Sequence, residues 1–420
     1  MERISRVKGT RDFYPEEMAF RTWLYQQLKA ISNSYGYQEY EGPFLERVEL
    51  YAAKSGEELV KEQSYVFPDR GGELIALRPE LTPTLARMVA ERSKALVAPI
   101  RWWSFGPFWR YERPQRGRTR EFYQWNLDLL GIDSPQADAE LVAIVVAFFD
   151  RIGLGSEKTR IHINNRRLAD LQLNEIGIPR AMRQVVFRLI DRKEKKSHAS
   201  WIEYGISQGL TQEQLDAVQK MLYDDDAWKR SEELIAFFKA AEALNISEYL
   251  IFDPTVIRGL DYYTGTVFEA REATGAERAI LGGGRYDNLV SDVGGDPIPG
   301  VGFAMGDVVL QLVLETHGLI PALRPNPSDL LMITFDEDLL YRTLEVATKM
   351  RAAGISVEWY PEPARIPKQF KYADRHGIPL AAIMGPDEAE QNLITIKDLR
   401  TREQKTMPIE DAISYVQSLR

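Results

Sequence analysis

The sequence predicts an α+β chain, in which an antiparallel-sheet domain is interrupted by a helical insertion and followed by a small three-layer α/β domain. Three observations carry this prediction. Segments of period-two alternation flank a basic loop between about 100 and 130, and residues about 165–248 turn charged and helix-rich. After GLIPALRPNPSDL at 318–330, with Pro321, Pro325 and Pro327, apolar segments follow in βαβαββα order.

Taken in order, EEMAFRTWLYQQLKAISNSYG at 16–36 has apolar residues at helical spacing and stops at a glycine, then leads into extended YQEYEGPFLE. SYVFPDRGGELIALRP at 64–79 sets two short apolar runs around an Asp-Arg-Gly-Gly turn and reads as a hairpin. In ELTPTLARMVAERS, Thr82 is expected to cap a helix whose first position is Pro83, which places Glu80 and Thr82 where a strand gives way to a helix. IRWWSF, FWRYE and EFYQWNLDLLG continue the strand pattern. In the last of these, alternation sends Gln124, Asn126 and Asp128 to one face and Tyr123, Trp125, Leu127 and Leu129 to the other. Arg110 and Glu112 are expected to share a face of the incoming strand, which would complete a polar floor. The apolar run LVAIVVAFF at 141–149 reads as a buried helix segment, far short of the roughly 20 residues a bilayer span needs. RGLDYYTGTVFEA at 258–270 and AILGGGRYDNLV at 279–290 return to β character, and the glycine tract is consistent with a turn or with close approach of a ligand to backbone. Beyond the linker come LLMITF, ISVEWY and IPLAAIMG as strands separated by helices, then two short strands and a terminal helix.

Composition narrows the function. A chain of 420 residues exceeds one ordinary core, and its 44 % apolar content supports packed domains. It has no cysteine, which excludes disulfides and thiolate metal sites and fits a reducing compartment; its four histidines show no ligand spacing, so no metal site is expected. The N-terminus lacks the apolar core of a secretory signal, and a cytoplasmic, non-membrane protein is expected. From Arg101 to Arg120 six arginines face one carboxylate, Glu112, so this segment carries +5 in a chain of net charge −9 and leaves −14 elsewhere. Positive charge that local suits one docked polyphosphate or nucleic acid, not a broadly basic coat. A solvated loop is the plain alternative. Neither GxGxxG nor GxxxxGK[ST] occurs, which rules out the dinucleotide and P-loop patterns.

FWRYERPQRGRTREFYQ resembles the second signature motif of class II aminoacyl-tRNA synthetases in its histidyl form. RGLDYYTGTVFE and GGGRYDNL resemble the histidine-specific signature of histidyl-tRNA synthetases and its companion, and KGTRDFYP and LRPELT fit the same family. The resemblance covers essentially the whole chain. It implies a class II catalytic domain at 1–320, an antiparallel sheet flanked by helices with the insertion at about 165–248; a linker at 321–328; and an anticodon-binding domain at 329–420. It further implies a homodimer that activates histidine with ATP and Mg²⁺ and transfers it to the histidine tRNA. By resemblance Arg110 grips the α-phosphate, Glu112 the adenine amino group and Arg118 the γ-phosphate, while Arg258 adds a second guanidinium at the α-phosphate. Glu80, Thr82, Gln124 and Asp128 would bind histidine, with Tyr262 and Tyr263 closing over it. Arg113, Gln115 and Arg116 would face the tRNA acceptor end.

Two positions depart from the family pattern. The arginine expected after a GFAMG segment, which stacks on adenine, aligns with Val309, and Asp307 and Val308 replace its neighbours. Another side chain then takes that role, or ATP is handled differently, or activation is lost. Asp128 stands where many members have glutamate. The resemblance therefore leaves one rival, a non-catalytic histidine-binding paralogue that regulates ATP phosphoribosyltransferase, and a third reading as an RNA-binding or histidine-sensing module.

Overall fold

The computed structural model describes residues 4–52, 63–191, 193, 197–257, 262–275, 278–362 and 364–419, and these divide into two compact units: Met1–Arg11 with Leu24–Ile320, and Asp12–Trp23 with Pro321–Arg420.

In the first unit, strands β1 (Gln38–Glu39), β5 (Ile100–Trp109), β6 (Glu121–Leu130), β7 (Thr159–Asn165), β8 (Leu250–Phe252), β9 (Thr266–Glu272), β10 (Leu281–Tyr286) and β11 (Gly300–Gly306) form one sheet in the order β1-β5-β6-β11-β10-β9-β7-β8. β2 (Leu45–Arg47), β3 (Tyr65–Pro68) and β4 (Leu74–Leu77) form a separate small sheet, with β3 and β4 as the expected hairpin. The inner strands of the large sheet are antiparallel, as expected. Its edges are not, because β1 pairs with β5 and β8 with β7 in parallel, each after a long connection that brings the chain back in the same direction.

IRWWSF and FWRYE are one ten-residue strand, β5, paired with β6 from Ile100↔Leu130 to Trp109↔Glu121. Arg110 and Glu112 therefore lie just past the strand end, not on it. The alternation in β6 holds. Trp125, Leu127 and Leu129 are buried, and Trp125 packs at a tilt against Phe148 of the helix Pro135–Arg151, ring centroids 5.3 Å apart. That helix is the LVAIVVAFF segment; Ser134 caps it, accepting from the Ala137 amide. The glycine tract is not a turn. Gly282, Gly283 and Gly284 lie inside β10, hydrogen-bonded on both sides by β9 and β11.

The insertion leaves the sheet after β7 as helices Arg166–Glu175, Arg183–Asp191, His198–Ser207 and Gln212–Met221, which share a core of Leu173, Val186, Leu189, Trp201, Leu215 and Val218. The helix Glu232–Ala243, read from sequence as part of the insertion, packs instead on Pro135–Arg151. Its apolar residues Leu234, Phe237 and Ala241 recur at helical spacing and need a face to bury.

In the second unit β12 (Leu330–Ile333), β13 (Val357–Trp359), β14 (Leu380–Ile383), β15 (Leu393–Asp398) and β16 (Gln404–Pro408) form a mixed sheet in the order β13-β12-β14-β15-β16. Helices Leu340–Ala352 and Ile409–Ser418 cover one face through Val346, Met350, Ile409 and Val416, and Ile366–Arg375 covers the other through Ala373. Burial on both faces explains the unbroken apolar run of β12.

Candidate active site

Two cavities open side by side on the polar face of the large sheet, and Arg110, Gln124, Gly282 and Ala304 line both. The inner one, about 110 Å³, is walled by Glu80, Thr82, Asn126, Tyr262, Tyr263, Tyr286, Gly302 and Phe303. The outer one, about 200 Å³, takes in Glu112, Gly117, Arg118, Thr119, Phe122, Ile280, Leu281, Gly306, Val308 and Val309.

The inner cavity is built on one strand. Period-two alternation lines up Gln124, Asn126 and Asp128 along β6. Gly306, Ala304 and Gly302 of β11 stand opposite them in register and carry little or no side chain to fill the space. At Gly302 glycine is required, because a Cβ there would collide with the Asp128 carboxylate. Asp128 lies one layer behind the wall, 2 % exposed, and accepts a hydrogen bond from the Tyr286 hydroxyl at 2.6 Å. Burial pushes its pKa up to about 7, and the Tyr286 bond partly opposes that rise. Across the cavity the Tyr262 hydroxyl donates to Glu80 Oε2 at 3.1 Å, and its ring lies 5.0 Å from that of Tyr263. Thr82 is not the cap expected of it. Leu81 precedes the helix Thr82–Arg92 and offers no side-chain bond, while the Thr82 side chain is hydrogen-bonded to Tyr262. A hydroxyl drawn into the cavity is lost to the helix end.

Two polar groups of this wall are buried without a partner among the described residues, Gln124 Oε1 and Asn126 Nδ2. Such groups cost stability unless something else satisfies them, which marks the cavity as built to receive a polar ligand. Sequence reading placed Asn126 on the correct face but not in the site, and it missed Tyr286, because the pattern of GGGRYDNL marks a segment without showing that this hydroxyl reaches Asp128.

Arg110 sits at the junction. Its Nε donates to the Pro79 carbonyl at 3.0 Å, its guanidinium lies 5.3 Å from the Phe122 ring centroid, and burial pulls its pKa down while Glu80 and Glu112 oppose the shift. Beyond it the loop closes in a tight turn, where Gln115 and Arg118 exchange backbone hydrogen bonds across Arg116 and Gly117. Gly117 has φ +73°, a left-handed conformation that favours glycine. Arg118 Nε is 2.7 Å from Glu112 Oε2 in the outer cavity, whereas Arg113, Gln115 and Arg116 face outward.

The arginines of the signature segments do not all serve the cavities. Arg120 lies over the Tyr111 ring and donates Nε to the Glu112 carbonyl at 3.1 Å, which braces the loop. Arg285 of the glycine tract is buried in an ion pair with Asp138, 2.5 Å away. Arg78 of LRPELT is fully buried, bonded to Glu41 at 2.5 Å and flanked by the rings of Phe44 and Phe108, and so holds the strand end that presents Glu80. Asp307, a departure from the family pattern, accepts from Arg11 at 2.7 Å and from the Tyr123 amide at 2.9 Å, tying GTRDF to the start of β6. Arg258 lies outside the described residues.

Among the described residues no cluster of His, Asp and Glu could hold a metal, and no helix is long and apolar enough to cross a membrane.

Comparison with known proteins defines the class first. A histidyl-tRNA synthetase family model matches residues 9–307 and an anticodon binding domain model matches residues 329–419, an aminoacyl-tRNA synthetase catalytic body together with its tRNA-reading module. Curated relatives include a histidine–tRNA ligase of Arabidopsis thaliana, chloroplastic/mitochondrial, 38 % identical over 97 % of this chain and 86 % of its own, and one of Haloarcula marismortui, 37 % identical over 96 % and 95 %. The crystal structure of histidyl-tRNA synthetase from Nostoc sp. PCC 7120 superposes with a TM-score of 0.84 at 26 % identity, covering both chains in full. The chain belongs to the histidyl-tRNA synthetase family.

Proposed function

We propose that this chain is a histidine–tRNA ligase that works through the two cavities. The observation that carries the reading is their junction: an enclosed polar cavity and an arginine-lined one share Arg110, the cation an α-phosphate needs where amino acid and nucleotide meet. In the first step a histidine carboxylate oxygen attacks the α-phosphorus of ATP, the bond to the β-phosphate breaks, and pyrophosphate leaves. In the second a ribose hydroxyl at the tRNA 3′ end attacks the histidyl carbonyl, and AMP departs as the hydroxyl proton is released.

Glu80, assisted by the Thr82 and Tyr262 hydroxyls, would accept the substrate ammonium. Asn126 and Gln124 would gain the partners they lack, and Tyr286, backed by Asp128, would meet the imidazole at the deep end, under Tyr263. Demanding partners for ring nitrogens is an effective way to reject apolar amino acids. Arg110, joined by Arg258, would stabilise charge on the α-phosphoryl oxygens. Glu112 would receive the adenine amino group once Arg118 leaves it for the γ-phosphate. Mg²⁺ would come with the outer phosphates, coordinated mainly by them and by water, since among the described residues Glu112 is the one carboxylate lining the outer cavity. The outward-facing Arg113, Gln115 and Arg116 suit phosphates and bases of an acceptor end.

We also expect a cytoplasmic homodimer. The small sheet and its approach leave Phe44, Leu45, Phe67 and Leu74 exposed, an apolar surface that a second copy would cover. The rival reading as a regulator of ATP phosphoribosyltransferase is not favoured, because relatives named as ligases match nearly the full chain, anticodon binding domain included. Histidine-dependent exchange of radiolabelled pyrophosphate into ATP, with the other nineteen amino acids as controls, tests the proposal. Exchange with histidine alone is expected; its absence while histidine still binds would favour the regulator.

A further inference from the structure

The outer cavity leaves a specific gap. Phe122, Ile280, Leu281, Val308 and Val309 give it apolar walls suited to a flat ring, and Glu112 supplies a polar edge. Val309 stands where the family pattern has its stacking arginine. Arg110 is bonded to the Pro79 carbonyl and Arg118 is drawn to Glu112, so neither cation is placed to lie over a ring in this slot.

Arg278 is. It immediately precedes Ala279, Ile280 and Leu281, all of which line the cavity, and the Ile280 amide anchors that approach to the Ala270 carbonyl at 2.8 Å. Its side chain turns toward the loop: a Cβ built on Gly117 would lie 3.6 Å from Val309 Cγ2 and 3.7 Å from Arg278 Cδ. The stem of Arg278 and the side chain of Val309 thus flank the same glycine at the rim. Arg278 is exposed and has no hydrogen bond or ion pair among the described residues. Its pKa is lowered by partial burial and by Arg118, with Glu112 opposing, which locates its charge beside the same pair that borders the cavity.

We propose that Arg278 supplies the guanidinium that covers the adenine of ATP, taking from the approach to β10 the place that Val309 has vacated on the helix Asp307–Thr316. A planar guanidinium on a purine face combines stacking with cation–π attraction. A guanidinium supplied from the approach to β10 leaves position 309 free to be apolar and position 307 free to bind Arg11. The inference rests on the ATP-binding reading above.

The test is equilibrium dialysis of radiolabelled ATP with the full-length protein and with Arg278→Ala and Arg278→Lys, alongside displacement by inorganic tripolyphosphate, which has no base. Arg278→Ala is expected to weaken ATP binding about tenfold, equivalent to about 1.4 kcal/mol, and to leave tripolyphosphate and histidine affinities and the melting temperature unchanged. Arg278→Lys, which keeps the charge but not the planar face, should recover only part of the loss. ATP affinity within twofold of wild type in Arg278→Ala, equal losses for ATP and tripolyphosphate, or full recovery with lysine would each overturn the assignment. A wild-type protein that binds ATP and exchanges pyrophosphate while the alanine variant does the same would sink this inference alone. If the wild type bound no ATP, the functional reading would fall with it.

Discussion

The inner and outer cavities share a wall but are made in opposite ways. The inner one is built from strand residues whose positions the sheet register dictates, closed by tyrosines, and lined by the Gln124 and Asn126 polar atoms that have no partner among the described residues. The outer one is built from a turn, a strand approach and a helix start, with one exposed cation, Arg118, paired with the neighbouring Glu112 carboxylate. Selectivity by hydrogen-bond matching needs rigid donors and acceptors, which strands provide. Grip on a flexible triphosphate needs charge more than fixed geometry, which a loop provides.

If that contrast is right, the largest effect should come from the shared cation. Arg110→Ala is expected to lower kcat/KM for histidine-dependent pyrophosphate exchange about 10³-fold, roughly 4 kcal/mol of transition-state stabilisation. A loss under tenfold would mean that the two cavities do not meet at Arg110.

Next comes the inner wall. Asn126→Leu should raise the histidine KM about 10²-fold and leave the ATP KM nearly unchanged, because it removes a buried donor that the substrate satisfies. Equal changes in both constants would erase the distinction between the cavities. Asp128 offers a second test of that wall. Its folded pKa of about 7 stands above the 3.8 of an unperturbed aspartate, so its favourable contribution is complete below about pH 4 and is lost as pH rises through 7. Asp128→Asn should therefore show a smaller fall in unfolding free energy between pH 4.5 and 7.5 than the wild type, by a few kcal/mol at most. Parallel pH curves from denaturant titration would remove the buried carboxylate from the account.

The smallest effect is expected at the loop. Arg116→Ala should leave pyrophosphate exchange intact while weakening tRNA binding a few-fold and flattening its log–log salt dependence by about one unit. An unchanged salt slope would return Arg116 to the solvated surface.

Much of this was legible before any coordinates. The alternation in EFYQWNLDLLG placed the inner wall, and Trp125 confirms the buried side. The proline-rich linker and the βαβαββα order foretold the second unit. The errors share a cause. Thr82 was read as a cap because the local pattern fits one, yet its hydroxyl answers to Tyr262, 180 residues along the chain. Arg285, Arg120 and Arg78 sit in signature segments, yet each is committed to protein partners. Arg278 belongs to no pattern at all.

What the sequence by itself determined are the properties set by near neighbours: strand faces, helix lengths, a local excess of positive charge, and the motifs that mark the family. What tertiary structure alone decided is the assignment of each charged or polar group to a partner or to an open cavity. Arg11 reaches Asp307 across 296 residues and Arg285 reaches Asp138 across 147, and which guanidinium remains for a ligand depends on such pairings. Periodicity follows from backbone geometry over a few residues, whereas hydrogen bonding and burial follow from distances that exist only once the chain has closed on itself.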